Sequence, residues 1–177
     1  PPVAPYQPQG VWESQSLGNN HYRQDEGGDL YRRSLYTVWR RVVGPTNFFD
    51  VPSRQVCSVT LTRTSTPLHA LTTMNDVTYV EASRVWADKL SRVPDEATRL
   101  SRAFYAATAR WPEPHELQSL QKTLAKTRKR FESSPKEAAD LIAMGETPPA
   151  GNVRAAEQAA WTTMCLMLLN LDETLCK

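Results

Sequence analysis

From Tyr31 onward the apolar positions recur at helical spacing. Tyr31, Leu35, Val38 and Val42 stand at i, i+4, i+7 and i+11 with Arg32, Arg33, Arg40 and Arg41 opposite them, which predicts an amphipathic helix over about Leu30 to Val43. Between Asn47 and Thr64 the period falls to two. Val56, Ser58, Thr60 and Thr62 alternate with Cys57, Val59 and Leu61, and this stretch is predicted to be a short extended or hairpin element. Helical punctuation resumes at Thr66-Pro67, a hydroxyl cap followed by a residue suited to the first helical position. Asn75 ends that helix and Asp76 caps the next, whose stripe reads Tyr79, Ala82, Trp86 and Leu90. Pro94-Asp95-Glu96 opens another, with a stripe of Leu100, Phe104, Ala107 and Trp111. Pro114 opens a helix carrying Leu117, Leu120, Leu124 and Phe131, and Pro135 a short one running to about Met144 before Gly145. After the loop GETPPAGN, the segment from about Val153 to Leu171 is apolar on nearly every face and belongs in the middle of a bundle. The fold class predicted is mainly α: one domain of about six to seven helices. A proline-rich irregular arm, residues 1–29, packs on a helical body, residues 30–177.

Composition narrows the function classes. A chain of 177 residues can bury a core of its own, and 13 prolines against 7 glycines indicate stiff connections between helices. A net charge of +2 lacks the concentrated basic surplus of a nucleic-acid module. Residues Thr66 to Leu90 could be read as a DNA-binding helix pair, but Glu81 and Asp88 on the expected outer side oppose a phosphate-facing surface. No apolar run is long enough to span a bilayer. The chain opens PPVAPYQPQGVW, with neither initiator Met nor leader, and reads as a piece of a longer polypeptide. Three cysteines make no disulfide framework: Cys165 reads as a small buried hydrophobe, and pairing of Cys57 with Cys176 stays open.

The candidate chemistry is mostly ionic. Arg32, Arg33, Arg40, Arg41, Arg54 and Arg63 are concentrated in one stretch, with Tyr31, Tyr36 and Trp39 beside them, a mixture able to hold phosphate or carboxylate. Asp25, Asp29, Asp50, Asp76 and Glu81 are available as internal partners, and ion pairing that fastens the arm to the body is the favoured reading. In the terminal NLDETL, Asp172 and Glu173 are adjacent and diverge by about 100° on a helix, so they cannot form a close acid–base dyad. Asn170 and Asp172 are expected to end the long helix and clamp the arginine-bearing segment. His21, Asp25 and Asp29 have a metal-like spacing, but Gly27-Gly28 interrupts any shared helix. His69 with Cys57 and Asp76 lacks a nucleophile signature, and His115 in a helix's first turn reads as exposed and neutral. The run Lys122, Lys126, Arg128, Lys129 and Arg130 reads as a solvated face. Without a C-x-x-C-H motif, no haem is attached covalently within this stretch.

Four segments together carry a family resemblance: LYRRSLYTVWRR (Leu30 to Arg41), FDVPSRQVC (Phe49 to Cys57), RTSTPLHALTTMNDVTYVEASRVW (Arg63 to Trp86) and LLNLDETL (Leu168 to Leu175). In this order and spacing they resemble the C-terminal domain of unknown function in planctomycete-type multidomain proteins with upstream c-type cytochrome domains. The resemblance implies an exported parent, periplasmic or extracellular, with haem c only in the upstream domains. It also implies partners in those domains or in another exported protein. The expected role is a non-catalytic packing or interaction module. The alternative is part of an extracellular enzyme that holds an anionic or polysaccharide substrate through arginines, with acids such as Asp25 or Asp172 in catalysis.

Overall fold

The computed structural model of the chain describes residues 2–7, 22–32, 36, 67–151 and 153–175. The predicted extended element at 47–64 and most of the first predicted helix, residues 33–35 and 37–43, lie outside the described residues. The fold is mainly α. The described residues contain seven helices: α1 Pro67–Asn75, α2 Val77–Leu90, α3 Glu96–Thr108, α4 Pro114–Ser133, α5 Pro135–Ile142, α6 Ala155–Leu169 and α7 Asp172–Leu175. The chain divides into two compact units, Pro1–His69 and Ala70–Lys177.

In the first unit the leading residues are held by main-chain groups and the Asp25 carboxylate. Ala4 N–H donates to Asp25 Oδ2 at 2.8 Å, and Asp25 N–H returns to the Ala4 carbonyl at 3.0 Å. Val3, 2% exposed, donates its N–H to the Tyr36 carbonyl at 2.6 Å. Gly27, at φ +58, opens a single 3-10 turn, Gly27–Asp29, closed by Leu30 N–H on the Gly27 carbonyl at 3.1 Å. Leu30 to Arg32 continue as turn and bend, so the described start of the first predicted helix is not α-helical.

The second unit follows its caps closely. Asp76 accepts from Thr78 N–H at 2.9 Å and starts α2, and Asp95 does the same for α3 through Thr98 N–H at 2.8 Å. Pro114 occupies the first turn of α4, and Glu113 with Glu116 forms a capping box there. Helix α6 is the axis of the bundle, packed against α2, α3, α4 and α5. Ala159, Ala160, Trp161, Thr162, Met164, Cys165, Leu166 and Leu168 are all buried along it, as its uniform apolar pattern requires. Leu100, Ala103 and Phe104 of α3, and Leu124 and Phe131 of α4, complete the core around this axis.

Two stripes differ from the periodic reading. On α2 the buried face is Val80, Glu81, Ser83, Arg84, Ala87 and Leu90, one position round from Tyr79, Ala82 and Trp86. The displacement arises because oppositely charged side chains, Glu81 and Arg84, occupy a face that periodicity assigned to solvent. Glu81, expected on the outer side, is 2% exposed. At the end of α3, Ala109 turns into the left-handed region at φ 62 and stops the helix, so Trp111 does not extend the stripe. It stands out in solvent, stacked on Tyr105 with ring centroids 4.6 Å apart.

Candidate functional site

The chemistry of the second unit gathers around the N-terminal half of α6. On α2, Glu81, Arg84 and Asp88 are three and four residues apart, so their side chains share one face of the helix. Arg84 is fully buried. Its Nη2 lies 3.9 Å from Glu81 Oε1 and its Nη1 4.0 Å from Asp88 Oδ2, while Nη2 also donates to the Thr147 carbonyl. Thr147 N–H donates to Glu81 Oε1 at 2.6 Å, so one residue of the α5–α6 loop meets both members of the ion pair. Arg84 Nε and Nη1 have no hydrogen-bond partner. Gly145, two residues before Thr147, lies against Glu81 at φ +89, where any Cβ would stand 2.5 Å from the Glu81 carboxyl carbon.

Beside this cluster is a cleft of about 220 Å³, lined by Asp88, Ser91, Arg99, Glu157, Gln158 and Trp161, among others. Its charged groups meet partners within the bundle. Gln158 Nε2 donates to Asp88 Oδ1 at 2.7 Å. Arg99 donates through Nε and Nη2 to the Val93 carbonyl at 2.9 and 2.6 Å, and its guanidinium lies over the Trp161 ring at 4.8 Å. Trp161 Nε1 donates to Glu157 Oε1 at 2.9 Å, and Glu157 receives a fork from Arg128, Nε at 2.6 Å and Nη2 at 2.8 Å. Arg128 also reaches Glu96 at 2.8 Å. The Arg128 fork holds the Glu157 carboxyl below the usual range, more strongly than burial raises it.

A second knot closes the α3–α4 corner. Arg110 forks onto Glu116 at 2.8 and 2.7 Å and onto Glu173 at 3.0 and 2.9 Å, so α4 and α7 share one guanidinium. Hydrogen bonds from Arg110, then from the Glu113 backbone N–H, hold the Glu116 carboxyl down to about 2. The Arg110 pKa is raised in turn, first by Glu116 and then by Glu173. Burial alone pushes the Cys165 thiol up, which removes thiolate character and leaves it a packing residue. Among the described residues no group of three or more His, Cys, Asp or Glu side chains could hold a metal ion, and no helix is long and apolar enough to cross a membrane.

The sequence-predicted site residues fall into separate places. Asp25 fixes Ala4, and Asp29 pairs with Arg32 on the exposed 3-10 turn, both in the first unit. Asp76 is a helix cap. Asn170 ties the end of α6 to α1, through Thr73 Oγ1 at 3.0 Å and the Ala70 carbonyl at 3.4 Å; the arginine-bearing segment it was expected to clamp lies largely outside the described residues. Glu173 is brought to Arg110, and Asp172 is exposed at the start of α7. Arg33, Arg40, Arg41, Arg54, Arg63 and Asp50, with His21, Cys57 and Cys176, lie outside the described residues. The periodic reading passed over Arg84, Arg99 and Arg110. It assigned Arg128 to a solvated face, although Arg128 turns inward to Glu157. For Arg84 a signal was present, the Glu-x-x-Arg-x-x-x-Asp spacing on one helix face; Arg99 to Trp161, Arg110 to Glu173 and Arg128 to Glu157 join residues far apart in sequence.

Fold and site together define a helical module in which Arg99, Arg110 and Arg128 brace the described bundle. The chain belongs to the family described as PSD1, a protein of unknown function (DUF1553), whose match covers residues 1–124. The chain matches no curated protein and no solved structure.

Proposed function

We propose that the chain is a non-catalytic packing and interaction module of an exported, multidomain, cytochrome-associated polypeptide. It docks against the upstream domains of that polypeptide, which carry the haem c, or against another exported protein. One observation carries this reading: the charged groups lining the cleft, Asp88, Arg99 and Glu157, are each engaged by a partner within the bundle. An acid–base site needs a group poised to exchange a proton near its working pH. Glu157 and Glu116 are instead displaced toward permanent ionisation. Exposed Tyr105, Trp111, Leu71 and Met74 supply apolar surface of the kind that docking uses.

The test is co-purification of the chain with the separately expressed upstream domains of its parent. Stable association is the expected outcome. Failure to associate, together with turnover of an anionic polysaccharide that is lost on Asp88→Asn, would replace this reading with an enzymatic one.

A further inference from the structure

The docking face at the α3–α4 corner has a definite chemistry. Trp111 is 61% exposed and Tyr105 45%, and their planes lie within 24° of each other. One face of the Trp111 ring is thus backed by Tyr105. The corner is rigid: Ala109 holds a left-handed turn, and the doubly forked Arg110 ties α4 and α7 together while lying 4.8 Å above the Phe104 ring. A non-glycine residue at positive φ costs free energy that the surrounding contacts must offset. Here those contacts present an indole to solvent.

Charge specifies what the indole can receive. Glu113 and Glu116 follow it at the start of α4, and the adjacent Arg110 brings Glu173 of α7 to the same corner, against the cation Arg110 itself and His115. Arg110 consumes part of the charge of Glu116 and Glu173, but Glu173 remains 52% exposed. Glu113, two residues from Trp111, is 68% exposed; among the described residues its carboxylate meets the His115 ring at 3.2 Å and takes part in the α4 capping box. Indole has the most negative face of the aromatic side chains, and a cation set over it gains further from nearby carboxylates.

The geometry points to the Tyr105–Trp111 corner as a docking surface for a basic peptide segment, with an arginine or lysine side chain stacked on Trp111 and its charge met by Glu113. This rests on the docking reading above and adds to it the surface and the partner's chemistry. An arginine is the better fit, because its planar guanidinium can lie flat on the indole while donating sideways to a carboxylate.

The experiment titrates the full chain with the fluorescein-labelled peptide Gly-Arg-Gly-Arg-Gly, and with the same peptide carrying neutral citrulline for arginine, reading anisotropy at low and physiological salt. Arginine-dependent binding is expected, weakened about three- to thirtyfold by Trp111→Ala. Glu113→Gln is expected to weaken it and to flatten its salt dependence. Trp111→Phe retains part of the affinity, and the helical circular-dichroism spectrum of each variant, read beside its melt, separates lost binding from the loss of the Glu113 cap or the Tyr105 stack. Equal binding of the citrulline peptide, or unchanged affinity in Trp111→Ala, overturns the assignment. So does an indole that answers to a neutral oligosaccharide and not to arginine. Co-purification with the upstream domains separates the two readings: if the complex survives in Trp111→Ala, docking stands and this surface is wrong.

Discussion

Gly145 shows how far one residue's geometry can reach. Its φ of +89 lies where side chains are rarely tolerated, and the space a Cβ would need is filled by Glu81 at 2.5 to 2.8 Å. Glu81 cannot retreat without leaving Arg84 and Thr147, which hold it from two sides. Gly145→Ala therefore meets both backbone strain and a steric clash with a buried carboxylate, and a loss of about 1–3 kcal/mol in unfolding free energy is expected. The two causes are separable by a double-mutant cycle in urea. In a Glu81→Ala background the contacts with the carboxyl carbon and Cγ are gone and only the Cβ contact and the strain remain, so the further cost of Gly145→Ala should fall measurably; strict additivity would show that the Glu81 side chain beyond Cβ does not set the limit. Arg84 belongs to the same scale. Nothing in hydropathy marks a guanidinium as buried, yet its spacing to Glu81 and Asp88 was legible as three charges on one face. What could not be read was which way that face turned, since a buried ion pair hides in a pattern that assigns charge to water.

At the level of elements, starts were more legible than faces. Asp76, Pro114 and Pro135 act locally, through N–H groups and φ values within a turn of themselves, so they announce their helices without reference to the rest of the fold. The stripe of α2 and the fate of Trp111 depend on what packs against them, and both departed from the periodic expectation. The corner between α3 and α4 also carries a pH signature. Glu116 has its carboxyl held at about 2 in the folded protein, below its ordinary value of 4.5. A depressed folded-state pKa contributes stability above the unfolded value, and that contribution is lost as pH falls through the folded one. Thermal melts of the parent and Glu116→Gln should show the parent ahead at pH 7. The gap should narrow below about pH 4.5 and close near pH 2, while a gap constant across that range would exclude the Arg110 fork as its source.

For the whole molecule, the helical class was written in periodicity and proline placement, and the central place of α6 in its lack of any polar face. The candidate site was much less visible. Residues chosen for it by local clustering of arginine lie largely in a stretch outside the described residues, whereas the braces that are described join Arg110 to Glu173 and Arg128 to Glu157 across long separations. The main hydrophobic cluster runs from Ala87 to Leu168, inside the second unit. A chain comprising residues 67–177 is therefore expected to fold by itself, with a helical circular-dichroism spectrum and a single cooperative melt. A broad, non-cooperative transition would show that the first unit is required for the core.

The central helix, Ala155–Leu169, is made late. A ribosome emits α2 to α5 before the element that fills the space between them, so each waits with an unmatched greasy seam. Assembly of the bundle thus waits for α6 rather than advancing helix by helix. A premature stop before Ala155 is therefore expected to leave a product that proteases clear instead of a smaller working domain.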